Sequence, residues 1–151
     1  MLQPIYHTIL DSEFHAGQPF NAGAVVSLDP NNEGFVAPAS GNGHVFGLLA
    51  QDVTTSGPTF VLGSVSPVAK VGDAVGIYLG TGMFLTDQLS TTANINDLLY
   101  VDPANPGKLT NVQPAGGVAV ARAASPAGAV VVDEFGDSYN LTKILFFGPS
   151  A

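Results

Sequence analysis

Val26 to Pro38 reads VSLDPNNEGFVAP, and Leu99 to Asn111 reads LYVDPANPGKLTN. In both, an apolar run ends at Asp-Pro, an Asn follows two residues later, a Gly two after that, and a second apolar run begins. Pro30 and Pro103 preset φ for a turn position, Asn32 and Asn105 tolerate left-handed geometry, and Gly34 and Gly107 adopt positive φ without steric cost. Each stretch is therefore a strand, a turn and a strand. Eleven residues after each Gly a further apolar run starts, at Val45 (VFGLLAQD) and at Val118 (VAVARAAS), so the two copies keep an offset of 73 residues. A fixed offset held over this distance marks a repeated supersecondary unit. The reading is two related halves of one β-domain.

Composition agrees. A chain of 151 residues fits one domain able to bury roughly two-thirds of its unfolded surface, without a metal or disulfide staple. Only 11% of residues are charged, while 18 Gly and 11 Pro are spread along the whole length, as many short strands joined by tight turns require. A net charge of -8, with Lys70, Lys108, Arg122 and Lys143 the only Lys and Arg, offers no basic face to a phosphate backbone; nucleic acid is not an expected partner. There is no Cys, and hence no thiol nucleophile or disulfide framework. The N-terminus lacks the pattern of a signal peptide, and no stretch approaches the ~18 apolar residues of a membrane helix, so a soluble protein without a membrane partner is expected.

Outward from the repeat, residues 1–20 (MLQPIYHTILDSEFHAGQPF) alternate poorly and carry Pro4 and Pro19. They read as an extended N-terminal arm ahead of a β-domain spanning 21–151. The arm's apolar set, Ile5, Tyr6, Ile9, Leu10 and Phe14, must dock on its own domain or on a neighbour, because ordering a chain without burial costs ~1 to 2 kcal/mol per residue. These five are the candidate partner-binding residues. Between the halves, Val75 to Leu79 and Met83 to Thr86 flank Gly80-Thr81-Gly82, which reads as a hairpin. Residues 87–97 read as loop, and the small side chains of Val118 to Ala123 mark a strand open to close approach by a neighbouring strand or subunit. The fold class is all-β: a single compact β-barrel or β-sandwich domain with the arm appended.

Chemistry is sparse. His7, His15 and His44 lack zinc-ligand spacing, and no nucleophile elbow, phosphate loop or metalloprotease motif occurs. Asp29, Asn31, Glu33 and Gly34 match the opening of a calcium loop, but position twelve is Ser40, and the second copy carries Ala104 and Pro106 at ligand positions. A plain turn is expected. Asp133, Glu134 and Asp137 form an acidic pair-and-neighbour of the kind glycosidases use, yet without Trp or a basic cluster they read as a solvated turn. No catalytic residue, metal or cofactor is expected, and the protein is read as not an enzyme.

Taken together, VSLDPNNEGFVAP, VFGLLAQD, KVGDAVGIYL and DLLYVDPANPGKLT resemble the small head decoration, or capsid cement, proteins of tailed bacteriophages, over roughly Ala22 to Ala123. The likeness lies in the style and order of segments. It implies a β-tulip-like domain that binds the outer surface of the mature capsid as a homotrimer, with the major capsid protein and itself as partners, bracing neighbouring capsid subunits. It implies location in the virion after synthesis in the host cytoplasm, and it supplies no active-site residues. The alternative from another class is a carbohydrate-binding or hydrolytic β-domain of a phage tail or cell-wall protein, for which a deep pocket with converging carboxylates and aromatic faces would be the mark.

Overall fold

The computed structural model describes residues 2–6, 9–40, 44–57, 60–61, 64–65, 68–126, 129–132, 136 and 138–148. Among them there is no helix. The strands in order are β1 (Leu2–Tyr6), β2 (Ile9–Ala16), β3 (Val25–Leu28), β4 (Phe35–Pro38), β5 (Gly47–Leu49), β6 (Asp52–Thr54), β7 (Phe60–Val61) and β8 (Ser64–Val65). They continue with β9 (Val68–Lys70), β10 (Ala74–Leu79), β11 (Gly82–Thr86), β12 (Leu98–Val101), β13 (Leu109–Thr110), β14 (Ala121–Ala123), β15 (Ala129–Val132) and β16 (Ser138–Phe146). The all-β expectation holds.

Five strands close a barrel in the order β10-β2-β4-β3-β5, and a second sheet runs β1-β11-β16-β14-β12-β13, with β15 on the side of β16. The two are copies of one unit. β3 pairs with β4 as Leu28↔Val36, and β12 pairs with β13 as Val101↔Leu109. β3 pairs with β5 as Val26↔Gly47, and β12 with β14 as Leu99↔Ala121. β10 pairs with β5 as Ile77↔Leu49, and β16 with β14 as Ile144↔Ala123. β10 pairs with β2 as Tyr78↔Leu10, and β16 with β11 as Leu145↔Met83. Even the parallel contact that closes the barrel, Ala16↔Val36, has a vestige in the bridge Leu89↔Leu109. There the second copy stays open, because β13 is two residues long where β4 has four.

Four sequence readings change. The segment read as an arm is two strands: β1 lies against β11 in the open sheet, and β2 stands between β10 and β4 in the barrel. Pro4 is tolerated because β1 is an edge strand with a register shift between Pro4 and Tyr6, where a missing N–H costs little. β2 is also the copy of β11, so the repeat begins near Ile9, ahead of the Val26 to Pro38 stretch by which the sequence shows it. The stretch Gly80-Thr81-Gly82 is not a hairpin tip but the junction between the copies, since β10 is already flanked by β2 and β5, and β11 by β1 and β16. The strand within Val118 to Ala123, expected to accept a neighbouring strand or subunit, is β14, and strands of its own domain, β12 and β16, take both sides. The matching of Val45 with Val118 is one residue out of step: the structure superposes Gly47 on Ala121, so one extra residue enters the second copy between the turn and the third strand.

Alternation packs these strands. Val75 and Ile77 of β10, and Phe84 and Thr86 of β11, point inward between more exposed neighbours. Val26, Val36, Leu49 and Ile77 fill the barrel. Leu99, Leu109, Ala123 and Ile144 fill the second copy, where the same cluster also takes in Val25, Ala39, Val45 and Leu48 from the outside of the barrel. The second core is thus shared by both halves.

Candidate interaction surface

The two Asp-Pro turns agree atom by atom. Asp29 accepts the Asn31 backbone N–H at Oδ1 (2.9 Å) and the Asn32 amide at Oδ2 (3.0 Å). Asp102 accepts the Ala104 N–H (2.9 Å) and the Asn105 amide (2.9 Å) in the same way. The strands beyond are tied by Asp29 N–H to Phe35 O and by Asp102 N–H to Lys108 O, both at 2.9 Å. The side-chain bond from Asn32, then the Asn31 backbone N–H, lowers the pKa of Asp29. The Ser90 hydroxyl, followed by Asn105, lowers that of Asp102. Both oxygens of Asp29 cap its own turn, so the calcium-like spelling corresponds here to an Asx turn. Among the described residues no group of three or more His, Asp or Glu is placed to hold a metal ion.

The second turn does something the first does not. Its tip, Gly107, sits on the barrel: the Val25 N–H donates to Gly107 O (2.8 Å), and the Gly107 N–H donates to Ala39 O (2.8 Å). Gly107 has φ 86°, and a Cβ there would lie 3.2 Å from the Cβ atoms of both Ala24 and Pro38. Only glycine enters this seat without displacing them. Gly34 has the same left-handed geometry, φ 80°, with nothing within 4 Å of where a Cβ would be.

The equivalent seat on the second half has Asp97 where the barrel has Ala24, and Asn111 where it has Pro38. The Asn111 amide bridges them, donating to Asp97 Oδ2 (3.0 Å). This bond, with the Asn94 N–H, lowers the pKa of Asp97. Beside the bridge stand large apolar side chains in the open, Ile95 and Leu98 entering β12 and Val112 leaving β13; Val118, before β14, is exposed as well. Arg122 of β14 is also exposed, and its guanidinium donates to Asn96 O (3.0 Å). Leu28, at the end of β3 beside the first turn, is exposed as well.

Of the residues proposed from sequence as partner-binding, Ile5 and Tyr6 lie in β1, and Ile9, Leu10 and Phe14 in β2. Phe14 packs edge-on against Phe46, ring centroids 4.9 Å apart, on the barrel's own cluster. Of the two docking partners the arm could have had, its backbone takes its own domain. His15 Nδ1 lies 3.0 Å from Gly72 O, with its ring beside Phe35; His44 is exposed. His7 and the acidic residues Asp133, Glu134 and Asp137 lie outside the described residues. The exposed set Leu28, Ile95, Leu98 and Val112 was not singled out from sequence. Its signal was the repeat itself, read by asking which apolar positions of one copy are covered in the other. Compared with known proteins, the chain matches no family and no curated relative.

Proposed function

We propose that the chain is a structural protein of a tailed-phage particle, a head decoration protein that sits on the outer capsid surface as a homotrimer and braces neighbouring major capsid subunits. The observation that carries this reading is the exposed apolar edge of Ile95, Leu98 and Val112 on a duplicated β-scaffold. Apolar side chains left in the open together at one edge suit a protein contact. The segment resemblance supplies the particular partner, and the chemistry of the edge supports protein rather than sugar: it holds aliphatic side chains, one Arg and an amide-carboxylate bridge. In this reading the protein acts by burial at subunit boundaries and takes no cofactor.

The test is co-sedimentation with expanded heads assembled from the major capsid protein of the phage that carries this chain. Saturable binding in multiples of three copies, with a raised melting temperature of the heads, is expected. Absence of binding to such heads overturns the reading.

A further inference from the structure

Each half of a duplicated chain has a front and a back, and here the front of the second half is seated on the back of the first. That leaves the front of the first half and the back of the second without their counterparts. The repeat shows what each free end is shaped for. At the front, Leu28 is 51% exposed, whereas its copy Val101 is 4% exposed. At the back, Leu98 and Val112 are 37% and 64% exposed, whereas their copies Val25 and Ala39 are both 0% exposed beneath the Gly107 turn. Gly34 keeps the left-handed φ with which Gly107 enters its seat, with nothing within 4 Å of where a Cβ would stand, while its carbonyl accepts the His15 N–H (2.9 Å).

We infer that the Asp29–Gly34 turn of one copy, with Leu28, docks on the Leu98 and Val112 edge of a second copy, repeating between chains the contact that joins the halves within one. Such a contact is heterologous: it uses different surfaces on the two partners and either closes a ring or runs on as a filament. Three copies in a ring would present six equivalent halves, so the inference deepens the trimer of the proposed function while resting on it only for the copy number.

The two ends differ from the internal contact in ways that set its strength. Glu33 stands where the second turn has Pro106, and Arg122 stands where the barrel has Leu48, so the front adds a negative charge and the back a positive one beside the Asp97 carboxylate. The Asn111 to Asp97 bridge spans the seat and must yield to the incoming turn. The copy-to-copy contact is therefore weaker than the internal one and depends on concentration.

Sedimentation of the full chain without capsids tests this. The wild type is expected to pass, between low and several hundred micromolar, from single chains to a closed species of about three times the 15.4 kDa chain mass. Asp97→Ala, which restores the Ala found in the barrel's seat, should lower the concentration of half-association about ten-fold, the equivalent of one hydrogen bond that no longer has to break. Leu28→Asp and Val112→Asp each remain single chains with unchanged melting. Their equimolar mixture forms a species of two chains and no larger, because one variant keeps an intact front and the other an intact back. Should either aspartate variant melt early, Leu28→Ser and Val112→Ser replace it. Single chains for both the wild type and Asp97→Ala overturn the inference, as does wild-type mass for either interface variant, or a mixture that stays as single chains. Failure on capsids with success here sinks the capsid reading alone, and the converse sinks this contact alone.

Discussion

Gly34 and Gly107 hold the same place in the two turns and the same left-handed backbone conformation, yet substitution should separate them. An alanine at either position meets the left-handed penalty of ~1 to 2 kcal/mol. At Gly107 the new Cβ also presses on Ala24 and Pro38 at 3.2 Å, and overpacking of this kind adds roughly 1 to 3 kcal/mol. Denaturant midpoints should therefore fall further for Gly107→Ala than for Gly34→Ala; equal losses would mean that the seat is not sterically tight. The three turn carboxylates give a second residue-scale expectation. Asp29, Asp97 and Asp102 are all held below the ordinary carboxylate range, by Asn32, Asn111 and Ser90 in first place respectively. Folding therefore favours their ionised forms. That contribution is complete above the unfolded carboxylate pKa and is lost as pH falls through the lowered folded values. Melting temperature should stay level from neutral pH down to about pH 5 and then decline. The decline should be shallower in Asp102→Asn, which cannot take up the proton; an unchanged acid limb would show that Asp102 does not contribute to it.

β2 has the largest consequence among the strands, because it pairs with β10 along five positions and with β4 at two, and the barrel is closed only through it. Deleting residues 1–14 removes most of β2 and should leave a chain with no cooperative thermal transition. Deleting 1–6 takes only the edge strand β1, and should lower the melting temperature while keeping the transition. A folded 15–151 chain by circular dichroism would contradict this reading of the barrel. The same strand shows what was legible in the sequence. The Asp-Pro turns announced β3, β4, β12 and β13 because proline, asparagine and glycine impose a local geometry that no tertiary contact has to supply. β2 was illegible as a repeat member because its identity rests on partners: ILDSEFHA and GMFLT share a place in the ladder but little local pattern, and a bulge between Val75 and Ile77 breaks the alternation facing β2. The interaction edge was hidden for a related reason. Leu98 and Val112 read as core positions like Val25 and Ala39, and only the seating of the second turn on the first half shows which pair is covered.

At the scale of the whole molecule, the duplication raises the question of whether each half is a folding unit. Three features bind them into one. β1, at the start of the chain, belongs to the second half's sheet, while the chain then passes into the barrel. Gly107, in the second half, supplies backbone bonds to Val25 and Ala39 in the first. The second core counts Val25, Ala39, Val45 and Leu48 of the barrel among its members. A half removed from its partner therefore loses both ladder bonds and buried area, and a piece of about 70 to 80 residues has little core of its own to spare. The full chain should unfold in one transition, with calorimetric and van't Hoff enthalpies equal. The junction lets this be taken further, because Thr81 is exposed and lies between glycines. Chains 1–80 and 82–151 produced separately should each lack the cooperative transition, whereas the two mixed should recover β-sheet circular dichroism as a one-to-one complex. Cutting there removes one side-chain bond, from the Thr81 hydroxyl to Phe147 O, and leaves the ladder, the Gly107 seat and the shared core to reassemble. If 1–80 alone melts cooperatively at the temperature of the intact chain, the barrel is self-sufficient and the shared core is not what holds the molecule together.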